Sequence, residues 1–350
     1  MARFRLMALI GALCLATGSA AHDGASKTQL LSVQRWLLLL NNELSPSIVR
    51  RIADSSYDMA VVDDVATLSW NPHYDIVGTV HTLQVRPGGG HRLVLSYLNI
   101  GRAEDYRSYF RTAWKAKPPS WTLGGKPAGA GGDYPVAYWR PEWKDILVGN
   151  DGLVPKIARA GFDGAYLDWI AGYWDSAVIA RAHADGVDPR AEMLLLLRQV
   201  ATAARAINPQ FLLVVQNAPE LADSSDVVEL TDAFAQESMW FAGAEGDSPS
   251  GDCPMSRTNK ELGSPTYLAR LSGPCKRARD EGRAEVLNYA QQAEVVPLLS
   301  RARSRGLAVF TVDYALRAEN IAEASRQSRA LGFRPFVGAH GLKKFVNPQF

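Results

Sequence analysis

An alternation of apolar, strand-like runs with amphipathic helical stretches predicts an α/β fold, a single (β/α)8 TIM-type barrel with one or two extra strands and loop insertions. The alternation extends over residues 30–342 of a 350-residue chain, a length that suits one barrel better than two domains. Several runs are continuously apolar, as strands buried on both faces are. A basic helix end, a glycine and an apolar run also recur in that order three times, which indicates repeated helix-to-strand connections.

The first 21 residues have the pattern of a secretory signal peptide. Arg3 and Arg5 precede an apolar run from Leu6 to Ala16, and small residues follow up to Ala21. A membrane anchor is the alternative, but a run this short cannot cross about 30 Å of hydrocarbon. We therefore predict that the mature chain is secreted or periplasmic, with no membrane attachment after cleavage.

Composition and charge exclude several classes of function. The chain is 47% hydrophobic and 21% charged, as ordinary globular proteins are. Loss of the leader would bring the 38 basic residues to 36, equal to the 36 acidic ones, and no Lys/Arg cluster suggests a nucleic-acid partner. The six histidines have no pair at metal-ligand spacing and no nucleotide-binding fingerprint occurs. We expect neither a metal nor a cofactor.

Nine segments are predicted to be strands because they are short, apolar and rich in Val, Leu and Tyr. Arg334–Val337 is a tenth candidate, so one or two of the ten must lie outside an eight-stranded barrel or adopt another structure. The nine are Val33–Leu40, Met59–Val62, Leu93–Leu98, Pro135–Tyr138, Gly164–Leu167, Phe211–Val215, Ala233–Ala235, Val286–Tyr289 and Leu307–Val312.

Helix ends are marked by capping residues and glycines. Ser45 before Pro46, and Asp188 before Pro189, predict capped helix starts. The second of these helices should end before Asn208-Pro209, because the residue before proline avoids helical geometry. Glycines in the left-handed conformation are predicted where helices end in the three recurring motifs, at Gly161, Gly306 and Gly332.

Two stretches are predicted to be insertions. Residues 118–133 are Gly-rich but lack the Ser or Thr and the strand-to-helix context of a phosphate-binding loop. Residues 242–274 are polar and contain Cys253, and Cys275 follows directly. In an oxidising compartment this isolated pair is best explained as one disulfide, with two unpaired thiols as the alternative.

Carboxylates follow several of the predicted strands, at the barrel end where functional groups cluster. Asp168 follows Leu167 and Glu237 follows Gln236, and both are predicted to be catalytic. A solvated loop acid is the alternative for each, and it is stronger for Glu237 because its strand is short. Glu104 and Arg107, three residues apart, are first of all a local ion pair on a helix, and Asp63 and Asp64 could cap a loop.

Aromatic residues accompany these acids. Hydrolysis of a glycosidic bond needs one acid to protonate the leaving oxygen and one carboxylate at the oxocarbenium-like centre. Flat aromatic faces suit sugar rings, whereas the chain lacks the Gly-x-Ser-x-Gly motif of serine hydrolases. The combination predicts a sugar-binding cleft. The aromatic residues near predicted strand ends are Tyr138, Trp139, Trp169, Tyr173, Trp174, Trp240 and Tyr289, of which we select Tyr138, Trp169 and Tyr289 as substrate-binding.

Four segments resemble glycoside hydrolase family 114, the endo-α-1,4-polygalactosaminidases. They are residues 97–107 (YLNIGRAEDYR), residues 162–168 (FDGAYLD), residues 215–217 (VQN) and Glu237. The resemblance covers roughly residues 30 to 340, and the block ending at Asp168 is its most specific part.

The resemblance implies a β/α barrel that hydrolyses α-1,4-linked galactosamine or N-acetylgalactosamine polymers. It implies Asp168 as the nucleophile and Glu237 as the acid/base, with Asp63, Tyr97 and Asn217 lining the sugar subsites. An acidic cleft would suit a substrate that carries protonated amines. The two insertions depart from the family pattern and could change the polymer that is accepted.

Two other functions are considered beside the hydrolase. A non-catalytic carbohydrate-binding barrel would bind glycans without creating reducing ends. A polysaccharide-modifying esterase or deacetylase would ordinarily need a metal site or a Ser–His pair, and the sequence supplies neither clearly. In each case we expect a monomer whose partner is a polysaccharide.

Overall fold

The structure is a computed structural model that describes residues 25–40, 42–123, 132–244, 247–282 and 285–348. The predicted signal peptide, residues 1–21, lies outside these ranges. Within them the strands are β1 (Trp36–Leu39), β2 (Met59–Asp63), β3 (Leu93–Asn99), β4 (Arg102–Glu104), β5 (Asp133–Pro135), β6 (Gly164–Asp168), β7 (Leu212–Gln216), β8 (Ala233–Glu237), β9 (Phe241–Gly243), β10 (Asp252–Pro254), β11 (Ala308–Tyr314) and β12 (Arg334–Gly338).

Helices lie between successive strands of the main sheet. The α-helices in the described ranges are α1 (Ala25–Ser32), α2 (Pro46–Ala53), α3 (Ile76–Gln84), α4 (Pro141–Val148), α5 (Leu153–Arg159), α6 (Ser176–Asp185), α7 (Pro189–Arg205), α8 (Ser225–Leu230), α9 (Pro265–Arg270), α10 (Gly273–Asp280), α11 (Gln291–Ser304) and α12 (Ala318–Ala330). The 3-10 helices are Val65–Thr67, Thr112–Lys115, Ile170–Trp174, Pro219–Asp223, Pro249–Gly251 and Glu285–Asn288.

The main sheet is a nearly closed parallel barrel, so the predicted (β/α)8 fold is confirmed. Its eight strands run in the order β1-β2-β3-β6-β7-β8-β11-β12, and every pairing between them is parallel. Side chains join the last strand to the first. The Trp36 indole N–H donates to the carbonyl of Arg334 at 3.0 Å, and Arg334 Nε donates to the carbonyl of Val33 at 2.9 Å.

Trp36 defines the interior of the barrel. Its ring lies 6.2 Å from that of Tyr166 on β6 and 5.2 Å from that of Phe310 on β11, centroid to centroid. Neither strand pairs with β1, so these contacts cross the interior. Because strand side chains alternate in direction, the residue two positions after Tyr166 points to the same interior side. That residue is Asp168.

Two of the predicted strands are not barrel strands. Residues 135–138 overlap only the end of β5, which pairs antiparallel with β4 in a separate small sheet. Their apolar side chains are nevertheless buried. Residues 286–289 lie in a 3-10 helix and the residue after it. A short apolar run does not distinguish a strand from another buried segment. The tenth candidate is confirmed as β12.

The predicted helix signals are mostly confirmed. The Asp188 carboxylate accepts the N–H groups of Arg190 and Ala191 at the start of α7. Gly161, Gly306 and Gly332 have φ values of 89°, 81° and 73°. Ser45 is an exception, since it precedes α2 but its side chain makes no capping bond to the backbone. Its hydroxyl instead pairs with that of Ser47, 3.0 Å away.

The second predicted insertion forms a small structure of its own. The hairpin of β9 and β10 packs with α9 and α10 around a separate apolar cluster that includes Met255, Tyr267 and Leu287. Cys253 and Cys275 form a disulfide at its centre, and both are fully buried. In the first insertion, residues 124–131 lie outside the described ranges.

Across the described ranges, none of the helices combines the length and the apolar character required to span a lipid bilayer.

Replacement of both Cys253 and Cys275 by serine should lower the free energy of unfolding by about 3 kcal/mol, because the bond closes a loop of 22 residues that is otherwise free in the unfolded chain. Chemical denaturation of the double variant measures this change. Wild-type protein kept in reductant should match the variant, and a reductant that leaves the wild-type midpoint unchanged would contradict the prediction.

Candidate active site

The two predicted catalytic acids lie at the C-terminal ends of two barrel strands that are separated by one other strand. Asp168 is the last residue of β6, Glu237 is the last residue of β8, and β7 lies between these strands. The register pairs Tyr166 with Val214, and Val214 with Ala233. Paired residues of parallel strands share a face, so both acids point into the barrel mouth. Each is partly exposed to solvent.

Asp168 is held by two hydrogen bonds. The Tyr97 hydroxyl, on β3, donates to Oδ2 at 2.6 Å. The backbone N–H of Trp169 donates to Oδ1 at 2.7 Å. Both oxygens of the carboxyl group therefore have a fixed donor, and the side chain has a defined orientation toward the mouth.

Glu237 is held by two residues that lie at the ends of the neighbouring strands, β7 and β11. Asn217, which follows β7, donates from Nδ2 to Oε2 at 2.7 Å, and its Oδ1 accepts the backbone N–H of Glu237 at 3.0 Å. Tyr314, which ends β11, donates its hydroxyl to Oε1. Because Oδ1 accepts a backbone N–H and Nδ2 donates to a carboxylate, these two hydrogen bonds fix the orientation of the Asn217 amide.

The two acids influence each other electrostatically. Burial and then the negative charge of Glu237 raise the pKa of Asp168 to about 7, against smaller opposing effects of the hydrogen bonds from Tyr97 and Trp169. Burial and the charges of both acids also raise the pKa of Tyr166, directly below them. Such effects are expected where two carboxyl groups point into the same mouth.

The three strands around this pair leave the barrel through strained turns. Trp169, Asn217 and Ser238 directly follow β6, β7 and β8, with φ values of 56°, 55° and 54°. Residues other than glycine rarely adopt this left-handed conformation, and such strain concentrates at functional sites. Each turn therefore begins at the residue directly after its strand.

The turn after Glu237 is fastened to the end of β11. The carboxylate of Asp313 accepts the backbone N–H groups of Trp240 and Phe241 at 2.6 and 2.9 Å, and Ser238 donates its N–H to the carbonyl of Val312 at 2.8 Å. Burial raises the pKa of Asp313 to about 7. β11 thus positions Glu237 through three successive residues, Val312, Asp313 and Tyr314.

Trp169, predicted to bind substrate, lies at the mouth but is already in contact with a cation. The guanidinium carbon of Arg102 lies 3.4 Å from its ring centroid, a cation–π contact. Arg102 also pairs with Asp133 and Asp175. One face of the indole is therefore occupied.

Asp63 belongs to a buried charge network. Arg107 pairs with Asp63 at 2.7 Å and with Glu104 at 2.8 Å, and it donates to Thr67 at 2.9 Å. The predicted Glu104–Arg107 ion pair is confirmed, but not on a helix, because Glu104 ends β4. Tyr106 adds a hydrogen bond to Glu104. Arg107 thus contacts two carboxylates, and the network forms one wall of the mouth.

An open pocket adjoins this wall. It has a volume of about 310 Å³ and lies over the ends of β1 and β2. Asp63 and Tyr106 contribute to it, so the pocket begins next to the strand that carries Tyr97. Its lining residues are Asn42, Glu43, Asp63, Leu68, Trp70, Tyr106 and Lys343.

The structure buries one of the predicted substrate-binding residues and leaves another exposed. The Tyr138 side chain is 0% exposed, and its hydroxyl donates to the carbonyl of Pro189 at 2.7 Å, so it has no surface to offer a ligand. Tyr289 is 58% exposed and lies on the long loop between β8 and α11. The substrate-binding role of Tyr289 stays a prediction.

Sequence reasoning missed two hydroxyl groups of the site. Tyr314 and Tyr166 are both buried; Tyr166 lies inside an apolar strand, where a tyrosine resembles any other core residue, and Tyr314 lies two residues beyond the end of its predicted strand. The alternation of strand side chains is the only local signal, since it places Tyr166 on the face of Asp168. Among the residues that the structure describes, no group of three or more His, Cys, Asp or Glu side chains is arranged to hold a metal ion.

The profile of glycoside-hydrolase family GH114 matches residues 78–347, which include every strand from β3 to β12. The chain belongs to this family and is a glycoside hydrolase. A protein of Deinococcus radiodurans, described as uncharacterized, is 28% identical over 92% of this chain and 85% of its own length.

Two solved structures share the barrel of this GH114 chain. The glycoside hydrolase domain of PelA from Pseudomonas aeruginosa has a TM-score of 0.54 at 15% identity, over 89% of this chain and 96% of that domain. Ega3 from Aspergillus fumigatus, in complex with galactosamine, has a TM-score of 0.54 at 14% identity, over 90% of this chain and 95% of that one. At these identities the similarity concerns the fold.

Replacement of Asp168 by asparagine should stabilise the protein, and by more at pH 8 than at pH 5. The pKa of Asp168 is about 7 in the fold and about 3.9 in an unfolded chain, so the folded state loses stability as pH rises between these values. Asparagine removes that loss. Thermal unfolding of both proteins over this pH range measures the difference.

Asp185→Asn provides a control of opposite sign. A hydrogen bond from Trp139 and the nearby Arg181 lower the pKa of Asp185, so its replacement should destabilise the protein once the pH exceeds that pKa. If the Asp168 variant gained no stability between pH 5 and pH 8, the charge coupling at the site would be contradicted.

Proposed function

We propose that this GH114 chain is an exported glycoside hydrolase that cleaves α-1,4-linked galactosamine or N-acetylgalactosamine polysaccharides with Asp168 and Glu237. The observation that carries the proposal is the meeting of these two acids in one mouth, where the charge of Glu237 contributes to the raised pKa of Asp168. Pairs of carboxyl groups with different environments are the working parts of glycosidases. In this proposal the mature chain acts as a monomer.

In the proposed reaction Asp168 is the nucleophile. Its carboxylate attacks the anomeric carbon while Glu237 protonates the leaving glycosidic oxygen, so that a glycosyl ester forms and one chain end is released. Glu237, now ionised, then takes a proton from water, and the oxygen of that water displaces Asp168 from the anomeric carbon. Both carboxyl groups return to their starting protonation states.

Tyr97 and Tyr314 support these roles through neutral hydroxyl donors. Burial raises the pKa of both phenols, so each remains a donor over the working pH range. Tyr97 stabilises the ionised form of Asp168 and orients its free electron pairs. The Tyr314 and Asn217 contacts hold Glu237 in one orientation through both steps.

A cationic amino sugar suits the electrostatics of this mouth. In the free enzyme a proton is retained on Asp168 up to a pH of about 7. A protonated amine bound beside the pair would lower that pKa, since a nearby positive charge favours the carboxylate. Binding of the substrate would then itself favour the ionised nucleophile. The galactosamine in the Ega3 structure is consistent with such a ligand.

Asp168→Asn and Glu237→Gln should each abolish the release of reducing ends from galactosamine polymers, with losses of at least a thousandfold, because each removes one reacting group. The assay uses the purified mature protein on the free and the N-acetylated polymer. Asp226→Asn, on an exposed side chain of α8, is the matched control and should retain activity. Near wild-type activity in either site variant would refute its assignment, and acetate release without chain shortening would indicate a deacetylase.

The pH dependence of kcat/KM should show a rising limb near pH 7. This parameter reports the ionisation of the free enzyme, and a nucleophilic Asp168 with a pKa of about 7 is active only when ionised. Initial rates from pH 5 to pH 9 provide the measurement. A falling limb at that pH, with no rise, would assign the proton-donating role to Asp168 instead.

A further inference from the structure

Large exposed aromatic side chains are concentrated at the barrel mouth. Among the described residues with large, exposed hydrophobic side chains, the aromatic ones are Trp70, Trp174 and Tyr289, at 59%, 68% and 58% exposure. They lie on the loops after β2, β6 and β8, which open at the C-terminal end of the barrel. The others, Leu31, Val77, Val85, Ile179, Leu195 and Ile207, lie on helices or directly after helix ends.

We propose that Trp70 and Trp174 are sugar-binding platforms that hold an extended polysaccharide chain across the mouth into which the acid pair points. This inference rests on the proposed function and deepens it, because it makes the enzyme a binder of long chains and not only of the sugars at the cleavage point. An exposed indole face supplies flat apolar area of the kind that packs against a pyranose ring.

Trp70 belongs to the pocket over β1 and β2. Its loop is anchored to the loop after β3, since the N–H of Ser69 donates to the carbonyl of Tyr106 at 2.9 Å. The exposed side chains of Glu43 and Lys343 share the pocket with it. They offer an acceptor and a donor beside the ring, which suits the hydroxyl or amino groups of a sugar that rests on the indole.

Trp174 lies over the opposite part of the mouth, above β6 and β7. Its indole N–H donates to Glu220 Oε1 at 3.0 Å, and the Tyr173 hydroxyl donates to the same oxygen at 2.6 Å. These bonds hold the ring in one orientation although most of its surface faces solvent. A ring fixed before binding loses little conformational entropy when a ligand packs on it.

The acid pair ends strands on the Trp174 side of the mouth, across from the pocket of Trp70. In the strand order the pocket of Trp70 covers β1 and β2, Asp168 ends β6, and Glu220 follows β7. A chain that rests on both rings therefore crosses the mouth into which the two carboxyl groups point. Such a path predicts cleavage within a polymer and not only at its end.

Binding of ligands of two lengths tests this inference. In the Asp168→Asn background, Trp70→Ala and Trp174→Ala should each weaken the binding of a long galactosamine polymer about tenfold, since each removes the apolar area that one ring buries. Binding of the corresponding disaccharide should change by less than about twofold. Isothermal titration calorimetry gives both affinities.

The controls separate stacking from other effects. Trp70→Phe and Trp174→Phe keep a ring and should retain most of the polymer affinity, whereas Val77→Ala removes an equally exposed side chain on α3 and should change nothing. Sedimentation of the same variants tests self-association through the two rings. A loss of self-association with unchanged polymer binding would overturn the inference.

Three other results would also contradict the inference that Trp70 and Trp174 bind the polymer. Polymer affinity that is unchanged in both alanine variants, an equal loss for disaccharide and polymer, or no polymer binding by any form of the protein would each contradict the proposal. If the wild type binds the polymer through both rings but never cleaves it, the proposed function fails and this inference stands. If the wild type cleaves the polymer but neither alanine substitution weakens polymer binding, the proposed function stands and this inference fails.

Discussion

The position of two carboxyl groups in one partly buried mouth is the constraint on which the rest of the site depends. Asp168 and Glu237 come from strands separated only by β7, and burial together with the charge of Glu237 opposes ionisation of Asp168. Two negative charges at such a position are unfavourable, so the pair retains a proton to a higher pH than isolated acids would. A glycosidase works with one group able to donate a proton while the other is a carboxylate, and the proposed reaction requires that the proton lies on Glu237 once the substrate is bound.

The groups that contact the two acids hold them in place without bringing a positive charge against them. Neutral hydroxyl groups of Tyr97 and Tyr314 contact the two acids, whereas the nearby cation Arg107 is committed to Asp63 and Glu104. A cation in direct contact would lower the pKa of an acid and remove its capacity to hold a proton. The strained turns at Trp169, Asn217 and Ser238 fix the backbone on each strand around the pair, and such strain is tolerated where function requires it.

The sequence was sufficient to predict what depends on local pattern. Asp168 and Glu237 follow apolar runs, and that position alone places a residue at the C-terminal end of a barrel strand. Contacts between residues that are distant along the chain could not be predicted from local pattern. Tyr314 meets Glu237 only because of the register between β8 and β11. Tyr138 illustrates the opposite error, because an aromatic residue near an acid-rich segment has the same local pattern whether it is buried or exposed. The exposure of Trp70 likewise depends on how its loop packs against the next one.

The ionisation of Asp168 itself tests the coupling most directly. Carbon NMR of protein labelled at the aspartate and glutamate carboxyl groups, followed through a pH titration, would give the pKa of Asp168 in the wild type and in Glu237→Gln. We expect a value near 7 in the wild type and a lower value in the variant, because the variant lacks the negative charge that opposes ionisation. A wild-type value close to that of an unfolded chain, or one that Glu237→Gln does not lower, would contradict the account.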